Sequence, residues 1–209
     1  MSSALHLVSP AFSPRSPAPE AAPQKAFCLA QLSGRLAELS SPRAGGQLTF
    51  ALGLVREAQE SGETAAWIGP RSSSFFPPDA EACGIDLAAF PVVRLDASQE
   101  MGRAADQLLR SGAFGLVLMD LGPSQIAAPL LTRLLGLAQK HNAAVLFLTE
   151  KPSESPSLSS LISLRAEVSH TRREPGGSRF FCELRALKDK RRAPGWTHSE
   201  EVRGPAGLR

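Results

Sequence analysis

Residues 45–49 read Gly45-Gly46-Gln47-Leu48-Thr49 and closely follow a strand-like stretch, Gly34-Arg35-Leu36-Ala37-Glu38-Leu39. A glycine-bearing turn between a strand and a helix is the layout in which backbone N–H groups cradle phosphates. Chemistry on a triphosphate further needs a lysine against the β- and γ-phosphates and a serine or threonine on Mg²⁺. Those two places hold Gln47, a neutral donor, and Leu48, which has no oxygen. Thr49 offers a hydroxyl one residue late, turned about 100° away by helical geometry. Charge-assisted contacts contribute ~1.5–3 kcal/mol each, so losing two costs on the order of 10²–10⁴ in nucleotide affinity. Asp120 ends the apolar run Gly115-Leu116-Val117-Leu118-Met119. It has the type of a metal-side carboxylate, and equally that of a solvated group or a turn cap.

Other chemistry has little to stand on. Cys28, Cys83 and Cys182 are far apart and odd in number, which argues against a disulfide framework or a paired-cysteine metal site. His6, His141, His170 and His198 form no ligand cluster, so neither a metal nor a cofactor is expected. The net charge of +3 is unevenly spread: residues 1–164 sum to −2 and residues 165–209 to +5. The excess centres on Lys188, Lys190, Arg191 and Arg192, a cluster suited to phosphates or to an acidic protein surface, and equally to a solvated strand end. No apolar run approaches the ~18 residues that span a bilayer, and no secretory signal opens the chain, so a cytoplasmic location is expected.

The elements that must position these residues follow from periodicity. Residues 1–24, with five prolines and five serines, read as a disordered arm. Residues 25–192 read as one α/β core, and 193–209 as a flexible tail. Strand-like runs at 35–39, 64–69, 92–95, 115–120 and 143–148 alternate with helical spacing over 48–58, about 98–111 and about 127–141. Asp96 or Ser98 is the expected cap of the second helix, and Gly62 and Gly112 are expected helix stops. Such alternation implies a mostly parallel central sheet flanked by helices. Beyond Lys151, runs at 164–169 and 179–187 flank Pro175-Gly176-Gly177 and predict a C-terminal antiparallel hairpin.

Strand, glycine loop, helix and a strand ending Leu116-Val117-Leu118-Met119-Asp120 resemble the order of the two nucleotide motifs of P-loop ATPases. From Gly34 to about Trp196 the chain resembles the ATPase core of RecA recombinases. The residues that carry the likeness are Gly34 to Leu39, Pro42, Gly46 and Thr49, Gly84-Ile85-Asp86, Arg110-Ser111-Gly112-Ala113, Asp120 and Leu187-Lys188-Asp189-Lys190. The resemblance places the water-activating glutamate of RecA at Gln99 and its Asn-Gln switch at Thr149-Glu150, so both functional types are replaced. The segments matching RecA's DNA-binding loops, 121–127 and 151–160, hold no aromatic and at most one basic residue each, leaving little for base stacking.

A RecA-like core with degenerate motifs is similar to the ImuA family of SOS mutagenesis proteins and to the related SulA division inhibitors. The ImuA likeness implies a non-catalytic accessory of translesion synthesis and DNA repair, partnered with RecA and an ImuB-type polymerase subunit. It implies no ATPase activity, no membrane contact, and at most weak, non-specific DNA binding. A SulA-like division inhibitor and a residual nucleotide- or DNA-binding ATPase are the alternatives. Phe27 and Ala30 resemble the FxxA tether of recombinase partners, or Phe27 packs in the core. The run Phe27 to Leu32 matches the place where RecA protomers pair an N-terminal strand with a neighbour.

Overall fold

A computed structural model of the chain describes residues 27–42, 46–172 and 179–203. The arm at 1–24, Gly45 and the glycine turn at 175–177 lie outside these residues. In chain order the elements are α1 (Leu29–Leu32), β1 (Arg35–Ser41), α2 (Gln47–Glu60), β2 (Thr64–Gly69), α3 (Pro77–Ala82), β3 (Val92–Arg94), α4 (Ser98–Ser111), β4 (Phe114–Gly122), α5 (Ala128–His141), β5 (Ala144–Glu150), β6 (Leu164–Arg172), β7 (Arg179–Asp189) and β8 (Thr197–Arg203).

The strands form one eight-stranded sheet in the order β3-β2-β4-β5-β1-β6-β7-β8. The first six are parallel; β7 runs antiparallel to β6, and β8 to β7. Parallel strands are covered on both faces, which is why β2 and β5 read as unbroken apolar runs rather than alternating ones. One face carries Leu39, Trp67, Leu118 and Leu146 against Phe50, Leu54 and Val55 of α2. The other carries Leu36, Ile68, Met119 and Phe147 against Met101 and Leu109 of α4 and Leu131 and Leu134 of α5. α4 ends at Gly112, whose φ of 70° is the left-handed closure that glycine permits without strain.

Three expectations change. Residues 197–203 are not part of a frayed tail: they form β8, pairing Leu184 with His198 and Cys182 with Glu200, and the fold continues past residue 192. Its half-buried residues His198 and Val202 lie against the first core face, so short-range composition is overridden by packing. The run Phe27 to Leu32 contains the one-turn helix α1 rather than an edge strand. Neither Asp96 nor Ser98 caps α4: the cap position is Ala97, and Asp96 Oδ1 instead accepts from the Arg71 backbone N–H at 3.0 Å.

Candidate functional site

The C-terminal ends of parallel strands are where an α/β sheet leaves room for a ligand. Here a cleft of about 440 Å³ opens at the ends of β2, β4 and β5, beside the first residue of α2. Its lining includes Gln47, Ser73, Asp96, Asp120, Thr149 and Glu150. Three of these are carboxylates, and no lysine or arginine is found among the described lining residues. Asp120 Oδ2 accepts from Ser73 Oγ at 2.6 Å, and Ser73 Oγ accepts from the Phe75 N–H at 3.2 Å. Asp120 is thus tied to the loop after β2 rather than standing alone. Gln99 is exposed on the first turn of α4 and is not among the cleft lining; the group bonded to Asp120 is Ser73, a residue the sequence reading did not single out.

The start of α2 is occupied by the chain's own contacts. Gln47 Nε2 donates to the carbonyls of Leu39 at 3.2 Å and Thr149 at 2.8 Å, bridging the neighbouring strands β1 and β5. Leu48, half-buried, packs against the apolar cluster under α2. Thr49 Oγ1 lies 3.9 Å from Cys182 Sγ, whose thiol is pushed up by burial. A Cβ on Gly46 would come within 2.8 Å of Val168 Cγ1 on β6. The glycine at this turn therefore has a packing reason that needs no phosphate.

Beneath the cleft lies a buried polar network. Glu38 on β1 is 0 % exposed, an unusual state for a carboxylate unless it is paired and hydrogen-bonded. It accepts from Thr149 Oγ1 at 2.9 Å and the Leu158 N–H at 3.0 Å, and pairs with Lys151 Nζ at 2.5 Å. Buried Arg165 on β6 donates to Ser40 Oγ at 3.2 Å and the Pro152 carbonyl at 2.9 Å, and also to the carbonyl of Ser155. Sequence pattern offered one signal for Glu38: it shares a sheet face with Leu36 and Ser40 in a strand buried on both faces.

The basic cluster is exposed at Lys190, Arg191 and Arg192 and half-buried at Lys188, and three of its side chains also contact the chain itself. Lys190 Nζ donates to the Ser160 carbonyl at 2.7 Å. Arg191 donates to the carbonyls of Gln31 at 3.2 Å and Ser33 at 3.0 Å. The Arg192 guanidinium sits 4.9 Å from the Trp196 ring centroid and 3.7 Å from Asp189. At the centre of the run, Asp189 is fully buried, 2.6 Å from Arg35 Nη2. Burial alone would raise its carboxyl, but the Arg191 N–H, Arg35 and Trp196 Nε1 together hold it below the usual range. Lys188 is pulled down by burial and by Lys190, against the pull of Glu38. Of the two readings of Phe27, the structure has the core-packed one. Phe27 is 5 % exposed and meets Phe50 edge-on at 6.0 Å and His198 at 6.5 Å, so of the pair only Ala30 reaches the surface.

Comparison with known proteins agrees with this architecture. A family model described as the RecA N-terminal domain matches residues 27–133. The RecA protein of Rubrobacter xylanophilus is 37 % identical over 87 residues, covering 42 % of this chain and 25 % of that protein. RecA of Corynebacterium urealyticum is also 37 % identical over 87 residues, covering 42 % and 23 %. For RecA of Clostridium novyi the identity is 34 % over the same length, with 42 % and 25 % covered. The matched stretch spans about a quarter of the length of these relatives.

Proposed function

Because the chain belongs to the RecA N-terminal domain family, we propose that it is a non-catalytic RecA-like accessory protein of the bacterial DNA-damage response. In this reading, which follows the ImuA likeness, it acts in SOS translesion mutagenesis by docking on RecA, on an ImuB-type polymerase subunit, or on both. It changes RecA filament activity without turning over ATP.

One observation supports the reading: the core is retained while the start of α2 is taken up by the chain's own contacts. Gln47 spends its amide N–H groups on Leu39 and Thr149, and the described cleft lining holds Asp96, Asp120 and Glu150 but no lysine or arginine, with Arg71 3.8 Å from Asp96 outside that lining. A triphosphate carries several negative charges and needs positive ones where it binds. A protomer-shaped chain of this kind occupies a RecA-type surface and cannot couple that contact to hydrolysis.

The test is to add purified full chain to RecA and single-stranded DNA and to follow RecA's ATP turnover and strand exchange, alongside capture of RecA and ImuB. A change in either rate at micromolar chain, with no ATP hydrolysis by the chain alone, supports the proposal. The absence of any contact with RecA or ImuB and of any effect on RecA sinks it. Filamentous cells on overexpression without such contacts favour the SulA-like alternative.

A further inference from the structure

Gln47 and the loop at 151–160 lie on different parts of the fold, yet an unbroken set of contacts joins them. From the cleft, Gln47 Nε2 reaches the Thr149 carbonyl at 2.8 Å. Through its hydroxyl, on the opposite face of the sheet, Thr149 reaches Glu38 at 2.9 Å. Glu38 then takes the Leu158 N–H and the Lys151 ammonium, the two ends of the loop. Further contacts fasten the segment between: Lys151 Nζ donates to the Pro156 carbonyl at 2.7 Å, Arg165 to those of Pro152 and Ser155, and Lys190 to that of Ser160. The Lys151 N–H also donates to the Ser41 carbonyl at 2.9 Å, closing the loop's start onto β1.

Surface loops ordinarily carry few such anchors and open readily. A ligand resets a loop only through contacts that differ between the loop's states. At this cleft the carbonyls at the ends of β1 and β5 already have a donor from within the chain, Gln47 Nε2.

We propose that Gln47 is a built-in surrogate for a bound ligand, and that the Gln47–Thr149–Glu38 strut locks the 151–160 loop in one conformation whatever the cleft contains. The loop therefore offers a partner the same surface with and without nucleotide. The amide is suited to this role. It carries two donors, one for each strand-end carbonyl, and adds no charge beside three carboxylates. Glu38 is suited to relay the constraint because a fully buried carboxylate tolerates loss of its donors poorly.

The proposal concerns the same cleft as the function above, but its test uses the chain alone, so its failure and a failure to act on RecA are read in separate experiments. Amide hydrogen exchange is measured by mass spectrometry on wild type, with and without 1 mM MgATP (about 1 mM, a concentration at the top of the usual KM range), and on Gln47→Ala. The expected result is a protected 151–160 segment in wild type. In Gln47→Ala, exchange across 151–160 rises about tenfold, as expected for losing two hydrogen bonds, while α4 and β4 stay as they were. Thr149→Val, which keeps the carbonyl and removes the hydroxyl, reproduces the effect if Gln47→Ala does not fold. Free-peptide exchange rates in the wild-type loop, a loop that shifts with MgATP, or a folded variant with wild-type loop protection overturns the lock.

Discussion

Restoring charge at the cleft tests the central argument most directly. On the proposed reading, the wild-type site lacks two charge-assisted contacts at Gln47 and Leu48, a deficit of about 3–6 kcal/mol, or roughly 10²–10⁴ in affinity. Three carboxylates add to it, Asp96 least because Arg71 lies 3.8 Å from it. Unit like charges roughly 7 Å apart repel by about 0.6 kcal/mol in water and about 2.4 kcal/mol at an effective dielectric of 20. The solvent-open position of the cleft favours the lower figure. A site that would hold nucleotide at about 1–10 µM therefore weakens into the millimolar range or beyond. Isothermal calorimetry of wild type with MgATP is expected to show no saturable heat up to about 1 mM. The double variant Gln47→Lys, Leu48→Thr returns a cation and a hydroxyl but gives up the bridge to Leu39 and Thr149, and it leaves the carboxylates in place. Its gain is expected to be about tenfold to a hundredfold, short of full recovery. Adding Asp96→Asn and Glu150→Gln should strengthen it further. Magnesium-dependent binding by wild type below about 100 µM would refute the charge reasoning.

Three further outcomes follow from single side chains. Asp189→Asn strands the buried Arg35 guanidinium and is expected to cost about 3–5 kcal/mol, lowering Tm by roughly 6–20 °C; a fall of under about 3 °C contradicts it. Because the Asp189 carboxyl is held below its usual range, its stabilisation is fully present above its unfolded value of about 3.9 and is lost as pH falls through the folded value. The urea-midpoint gap between wild type and Asp189→Asn should accordingly close on acidification, and a gap that widens below pH about 4 is the wrong sign. Phe27→Ala removes a ring packed on Phe50 and His198 and is expected to cost about 3–5 kcal/mol of stability, whereas a surface tether would leave the melt unchanged. For single-stranded DNA, Lys190, Arg191 and Arg192 are exposed but held by contacts within the chain that a phosphate contact would have to displace, so a shallow salt slope of about −1 is expected. Arg191→Ala should then lower stability without changing that slope, and a slope steeper than about −3 means the cluster faces DNA.

Local pattern made most of the framework legible. Runs such as Ala65 to Ile68 and Val145 to Leu148 are short, continuous and apolar, which is what a doubly covered parallel strand requires. Leu130, Leu131, Leu134, Leu135 and Ala138 repeat at helical spacing, as a helix packed on one side requires. The strand-turn-helix unit that holds Gln47 and Leu48 was legible for the same reason: it is defined by spacing within one short stretch. β8 escaped because Thr197 to Arg203 is polar on one side and bounded by glycine and proline, and its pairing with β7 comes from the facing strand rather than from its own composition.

Residue types in sequence thus determined which charges this chain has and where the periodicity turns from strand to helix. Tertiary structure alone decided what those charges meet. Lys190 and Arg191, adjacent in a run that reads as a basic patch, end on carbonyls of the chain itself, and Asp189 finds Arg35 from 154 positions away. Gln47 likewise meets Thr149 across 102 positions. Helical and strand periodicity is a property of neighbouring backbone dihedrals and is written locally. The partner of a buried polar group is set by which strands the sheet brings side by side, and that depends on the packing of the whole core.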